Sequence, residues 1–109
     1  MTDKIVVLST CAAEADAERL ARALVEGRLA ACVNVVPGVR SFYRWKGEVE
    51  SGVEFLLIIK TSRELFPALN AEMAKLHPYE VPELLALPVV DGAEDYLSWL
   101  HANLRGARK

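Results

Sequence analysis

The chain has 109 residues, which is room for one domain spanning 1–109 and not for a second core. Apolar residues make up 52% of it and the formal net charge is -2 with no basic stripe, which excludes nucleic acid as a partner class. No apolar run approaches the roughly 20 residues of a membrane span, so the apolar surplus of so small a chain points to a subunit interface instead.

Taken in order, Met1-Thr2-Asp3-Lys4 leads straight into Ile5-Val6-Val7-Leu8, a short buried strand, with no signal-peptide pattern before it. The cysteines, Cys11 and Cys32, are too few for a disulfide framework and are not a Cys-x-x-Cys pair. Both observations predict a cytoplasmic protein. Ser9-Thr10-Cys11 leaves the strand, and Glu14 and Asp16 stand where a helix amino end favours acids. Ala17, Leu20, Ala21, Leu24 and Val25 recur on one helical face, while Glu18, Arg19, Arg22 and Glu26 face water. Gly27 with Arg28 is the stop signal.

Cys32 to Thr61 reads as a long β-hairpin, rich in β-branched and aromatic residues, broken at Pro37-Gly38 and turning at Lys46-Gly47. Within it Val53 to Ile59 is apolar except for Glu54, the pattern of a central strand covered on both faces. The hairpin is longer than one small domain covers, so its tip is expected on another subunit. Trp45 and Trp99 are the expected packing and interface anchors.

Thr61-Ser62-Arg63-Glu64 fits a helix capping box, and Pro67 places the helix start within a turn of it. Leu65, Leu69, Met73 and Leu76 form the apolar stripe, which His77-Pro78 ends. Leu84 to Val90 is a fourth strand, placed at a sheet edge by Pro88. After Asp91-Gly92, a closing helix carries Tyr96, Leu97, Trp99, Leu100 and Leu104, and Arg105 to Lys109 is a frayed tail. The order strand, helix, strand, strand, helix, strand, with an extra carboxyl-terminal helix, defines an α+β protein of the ferredoxin-like split βαβ type. Two helices cover one face of the antiparallel sheet and leave the other bare, which again favours an oligomer.

His77 ends a helix in a segment stiffened by Pro78 and Pro82, with Tyr79, Glu80 and Glu83 close in sequence. Imidazole with carboxylate or thiolate suits a transition metal; the same ring also suits a helix carboxyl-end cap. Cys11, at a strand end, is the better-placed soft ligand, whereas Cys32 reads as a core thiol. Lys60 either pairs with Glu80 or Glu83 or contacts an anion across a cleft facing Tyr43 or Tyr79, without a Gly-rich phosphate loop to support it. No activated nucleophile or acid–base pair is visible, so no enzyme is expected. Nothing in the sequence gives His101 a role.

Together these pieces resemble the CutA1 family of divalent-cation tolerance proteins. The matching residues are Leu29-Ala-Ala-Cys-Val-Asn34, Ser41, Tyr43-Arg-Trp45-Lys-Gly47, Glu54 ahead of Lys60-Thr61, His77-Pro-Tyr-Glu80, Pro82-Glu83, Leu87-Pro88 and Tyr96-Leu-Ser-Trp99. They lie in order over nearly the whole chain. The resemblance implies a ferredoxin-like protomer in a tight homotrimer, similar in architecture to the P-II signalling proteins, with clefts between subunits. It further implies copper tolerance or the binding of another divalent metal ion, no catalytic reaction, no organic cofactor, and His77 as a metal ligand. One departure stands out: some members carry a cysteine where this chain has Ser9, and here the thiol falls two residues later at Cys11, about 7 Å along the strand. Two readings follow. One is a trimeric cytoplasmic metal-binding protein using His77, Cys11 and Glu80 or Glu83. The other is a trimeric sensor or scaffold that holds a small anion or effector at Lys60, Tyr79 and Tyr43.

Overall fold

A computed structural model of the chain describes residues 2–106. Its elements are β1 (Lys4–Cys11), α1 (Glu14–Glu26), β2 (Cys32–Trp45), β3 (Glu48–Ser62), a 3₁₀ turn (Arg63–Leu65) running into α2 (Phe66–Leu76), β4 (Leu85–Pro88) and α3 (Glu94–Ala102). The strands form one antiparallel sheet in the order β2-β3-β1-β4. This is the ferredoxin-like arrangement read from the sequence, with Pro88 on the edge strand as expected.

Burial alternates along the two central strands with the period of two that a strand imposes. Ile5, Val7, Ser9 and Cys11 of β1 and Leu57, Ile59 and Thr61 of β3 are buried on one face. Ala17, Leu20 and Leu24 of α1 and Leu69 and Met73 of α2 complete that core. The intervening Val6, Leu8, Thr10, Leu56 and Ile58 are only half-buried, and Val53 is exposed. The expectation that Val53 to Ile59 is covered on both faces therefore fails within the protomer: helices cover one face only. α3 and the turn after it close the end of the sheet where β1 begins, sending Leu100 and Leu104 into the core.

Local departures from the sequence reading have local causes. Thr61 caps no helix; its pairing with Ile5 keeps it in β3, and its hydroxyl donates to the Leu29 carbonyl at 2.7 Å. Ser62 precedes the 3₁₀ turn without a side-chain cap bond. Pro37-Gly38 does not break β2: Val36 pairs with Leu56 and Val39 with Glu54, so two residues oppose Phe55 in a bulge, with Gly38 at φ 75°. At the hairpin turn both Lys46 (φ 50°) and Gly47 (φ 83°) are left-handed, matching the right-handed twist of the arms. Gly27 stays helical at φ -80°, and Arg28 takes the left-handed position at φ 59°. Arg105 is not frayed: its N–H donates to the Arg28 carbonyl at 2.7 Å and its guanidinium to that of Gly27 at 3.0 Å. The rest of the expected tail, residues 107–109, lies outside the described residues, as does Met1.

The hairpin makes the molecule long. Its extents are 49 × 25 × 22 Å and its radius of gyration is 14.5 Å, where a compact chain of this length would give about 13 Å. Among the described residues no helix is long and apolar enough to cross a membrane.

Candidate functional site

His77 follows the last turn of α2 in extended backbone and is 7% exposed. Its ring is held on both sides. Nδ1 accepts the Tyr79 backbone N–H at 3.1 Å, which leaves Nε2–H to donate to the Thr10 carbonyl at 2.7 Å. A neutral imidazole thus ties the segment after α2 to the end of β1, and it can ligate a metal only by giving up one of these bonds. The expected cationic cap is not what holds it. Cys11, on the neighbouring position of β1, is fully buried with Sγ 3.8 Å from the Ala13 carbonyl. Burial, reinforced by the charges of Asp16 and Glu54, pushes its thiol above the ordinary cysteine range, away from the thiolate a metal or an electrophile needs. Cys32 is half-buried rather than a core thiol, 3.9 Å from the Asn34 side-chain oxygen.

On the uncovered face, Glu54 is 9% exposed although it is charged. The Tyr79 hydroxyl donates to its Oε2 at 2.5 Å, a charge-assisted bond at the short end of the range. Desolvation first, and then this bond and the Glu54 charge, hold the Tyr79 phenol protonated well above the usual tyrosine range. The His77 and Tyr79 rings pack at 4.7 Å between centroids, so one short segment carries both contacts. A cavity of about 580 Å³ opens here, lined by Thr10, Ser41, Tyr43, Trp45, Glu54, Tyr79, Glu80 and Glu83 with Phe42, Val81 and Pro82.

The structure therefore brings together Tyr43, Trp45, Tyr79, Glu80 and Glu83, with His77 just behind them. It does not bring Lys60 to them. Lys60 lies six residues from Glu54, roughly 20 Å along β3, with its Nζ 5.7 Å from the Tyr96 ring centroid. Neither Glu80 nor Glu83 pairs with it among the described residues. Trp99 is also remote, stacked on Tyr96 at 5.6 Å. Among the described residues no group of three or more His, Cys, Asp and Glu side chains is placed to hold a metal ion, so His77, Cys11, Glu80 and Glu83 do not form one ligand set in a protomer.

One participant escapes sequence reasoning: Glu54, although a lone charge in an apolar central strand is a visible signal. His101 lies apart from the cleft, its Nδ1 3.1 Å from Nζ of Lys4, a lysine only 4% exposed that also bonds Asp3 at 2.8 Å.

An antiparallel split βαβ sheet with an overhanging hairpin defines a ferredoxin-like α+β protein, with a buried carboxylate, a half-buried phenol and a buried imidazole gathered at one end of it. Residues 5–103 match the family described as CutA1 divalent ion tolerance protein, and the chain belongs to that family. It is 53% identical over 98 residues to the divalent-cation tolerance protein CutA of Thermus thermophilus, covering 90% of this chain and 95% of that one. It is 47% identical over 105 residues to the protein of the same name from Pectobacterium atrosepticum, covering 96% of each. The crystal structure of CutA from Xylella fastidiosa superposes with a TM-score of 0.92 at 40% identity, covering 94% of this chain and 99% of that one.

Proposed function

We propose that this divalent-cation tolerance protein works as a non-catalytic, cytoplasmic homotrimer that binds a divalent metal ion at the carboxylate-lined cleft. The observation that carries the reading is Glu54, nine-tenths buried with no cationic partner among the described residues, facing the same cavity as Glu80 and Glu83. A carboxylate so placed favours a cationic ligand. One protomer does not gather three donors, so the coordination sphere is completed across a subunit boundary. Oxygen donors favour Cu(II) or a harder divalent ion over Cu(I).

The trimer is supported by the apolar side chains left exposed along the hairpin and the edge strands, among them Phe42, Val49, Val53, Leu85 and Leu87. The two free thiols suit a reducing compartment. Among the described residues, the buried Cys11 thiol and the His77 imidazole, with both its nitrogens engaged, do not form a nucleophile–base pair. Among the described residues of one protomer no Lys, Arg or His lines the cleft, so the protomer favours the cationic ligand over the anion reading there.

The test is titration of metal-stripped, reduced protein with Cu(II), Zn²⁺ and Mn²⁺, read by calorimetry and native mass spectrometry. Binding that falls in the double variant Glu80→Gln/Glu83→Gln and persists in Cys11→Ser is the expected result. Equal binding by wild type and the double variant overturns the site, and a monomer at working concentration overturns the assembly.

A further inference from the structure

The cleft carries a pattern that a metal ion alone does not use. Its carboxylates come from separate places, Glu54 from β3 and Glu80 and Glu83 from the segment between α2 and β4, and they do not converge to metal-ligand spacing. Between them lie the aromatic rings of Phe42, Tyr43, Trp45 and Tyr79, with no Lys, Arg or His among the lining residues. Spaced carboxylates along an aromatic trough match an elongated cation whose charges are set apart. Two of the rings already attract cations: the Arg40 guanidinium lies 5.5 Å from the Phe42 centroid, and Lys46 Nζ lies 5.8 Å from that of Trp45.

Glu54 supplies the second, independent observation. Oε2 takes the Tyr79 hydroxyl, while Oε1 has no hydrogen-bond donor among the described residues, on a side chain only 9% exposed. That bond occupies Oε2 and leaves the other carboxylate oxygen free for a ligand's N–H. A cavity of about 580 Å³ is of ordinary small-ligand size.

We propose that the cleft binds a short aliphatic polyamine, one ammonium group at Glu54 against Tyr43 and Tyr79, and another at Glu80 and Glu83. The proposal rests on the cleft being the functional site and not on a metal being its ligand. No covalent step is involved.

The test is calorimetric titration of the full-length, chelator-treated protein with spermidine and with putrescine, followed in parallel by tryptophan fluorescence. 1,4-Butanediol serves as the uncharged analogue of putrescine. Saturable binding of spermidine at one per protomer is expected, with affinity down at least about tenfold in Glu54→Gln and no response to butanediol. Tyr43→Ala, compared at an oligomeric state matched to wild type by native mass spectrometry, should weaken binding similarly, and Lys60→Ala should leave it unchanged. Absence of saturable binding overturns the proposal, as does equal affinity in wild type, Glu54→Gln and Tyr43→Ala. Metal titrations with and without spermidine separate the two readings. Polyamine binding without metal binding overturns the metal site alone, and metal binding that spermidine neither accompanies nor displaces overturns the polyamine site alone.

Discussion

Removing the Tyr79 hydroxyl tests the central contact of the cleft. The bond to Glu54 is 2.5 Å long and its acceptor is 9% exposed. A hydrogen bond to a charged group contributes about 1.5–3 kcal/mol, and a buried acceptor belongs near the middle of that range or above. Tyr79→Phe should therefore cost about 2 kcal/mol, because the Glu54 carboxylate is left buried without its donor. Glu54→Gln keeps an acceptor oxygen and should cost less, about 1 kcal/mol. The double variant should be less destabilised than the two single costs added, with a coupling of about 1–2 kcal/mol. The sign with pH follows from the raised Tyr79 pKa. The folded state keeps a proton that the unfolded state loses at about pH 10, so this contribution is full below that pH and declines as pH rises above it. Wild type should then lose its advantage over Tyr79→Phe in alkali. Urea unfolding of the four proteins at one fixed protomer concentration, at neutral pH and above pH 10, measures all of this. A Tyr79→Phe variant within about 0.5 kcal/mol of wild type at neutral pH, inside the spread of ordinary surface changes, would refute the reasoning.

Thr61→Val keeps the shape of a fully buried side chain but leaves the Leu29 carbonyl without its donor, which should cost about 1–3 kcal/mol in the same unfolding assay. Gly47→Ala places a Cβ on backbone at φ 83°. It should destabilise by about 1–2 kcal/mol, while Ala in place of Gly52, in open extended strand, should be far milder by thermal unfolding.

The fold was legible because its signals are local. The helical spacing of Ala17, Leu20 and Leu24, the glycine at the hairpin turn and the proline on β4 each state a constraint that tertiary structure then kept. What failed was whatever depended on a partner distant in the chain. Thr61 has the residues of a capping box around it, but pairing with Ile5 and the Leu29 carbonyl outweighs that local alternative. The apolar run Val53 to Ile59 reads as doubly covered, yet the helices lie on one face of the sheet only, and Leu56 and Ile58 on the other face are half-buried in the protomer. At the cleft, His77 and Tyr79 announce themselves through their motif, yet their partners do not. Thr10 is 67 residues away from His77 and Glu54 is 25 from Tyr79. Lys60 misleads for the same reason, since strand register alone decides that it faces Tyr96 and not the cleft.

The position of β1 bears on how the chain is made. It is an inner strand, yet both of its neighbours, β3 and β4, are synthesised after it. On the ribosome, Ile5 to Leu8 must wait unpaired until residue 62 has emerged, and α1 has no finished sheet to pack against in the meantime. The β2–β3 arms can zip together first, as neighbours in the chain do. The sheet is completed only when Leu85 to Pro88 pairs with β1. A chain cut before β4 therefore leaves one edge of β1 open as a template for aggregation.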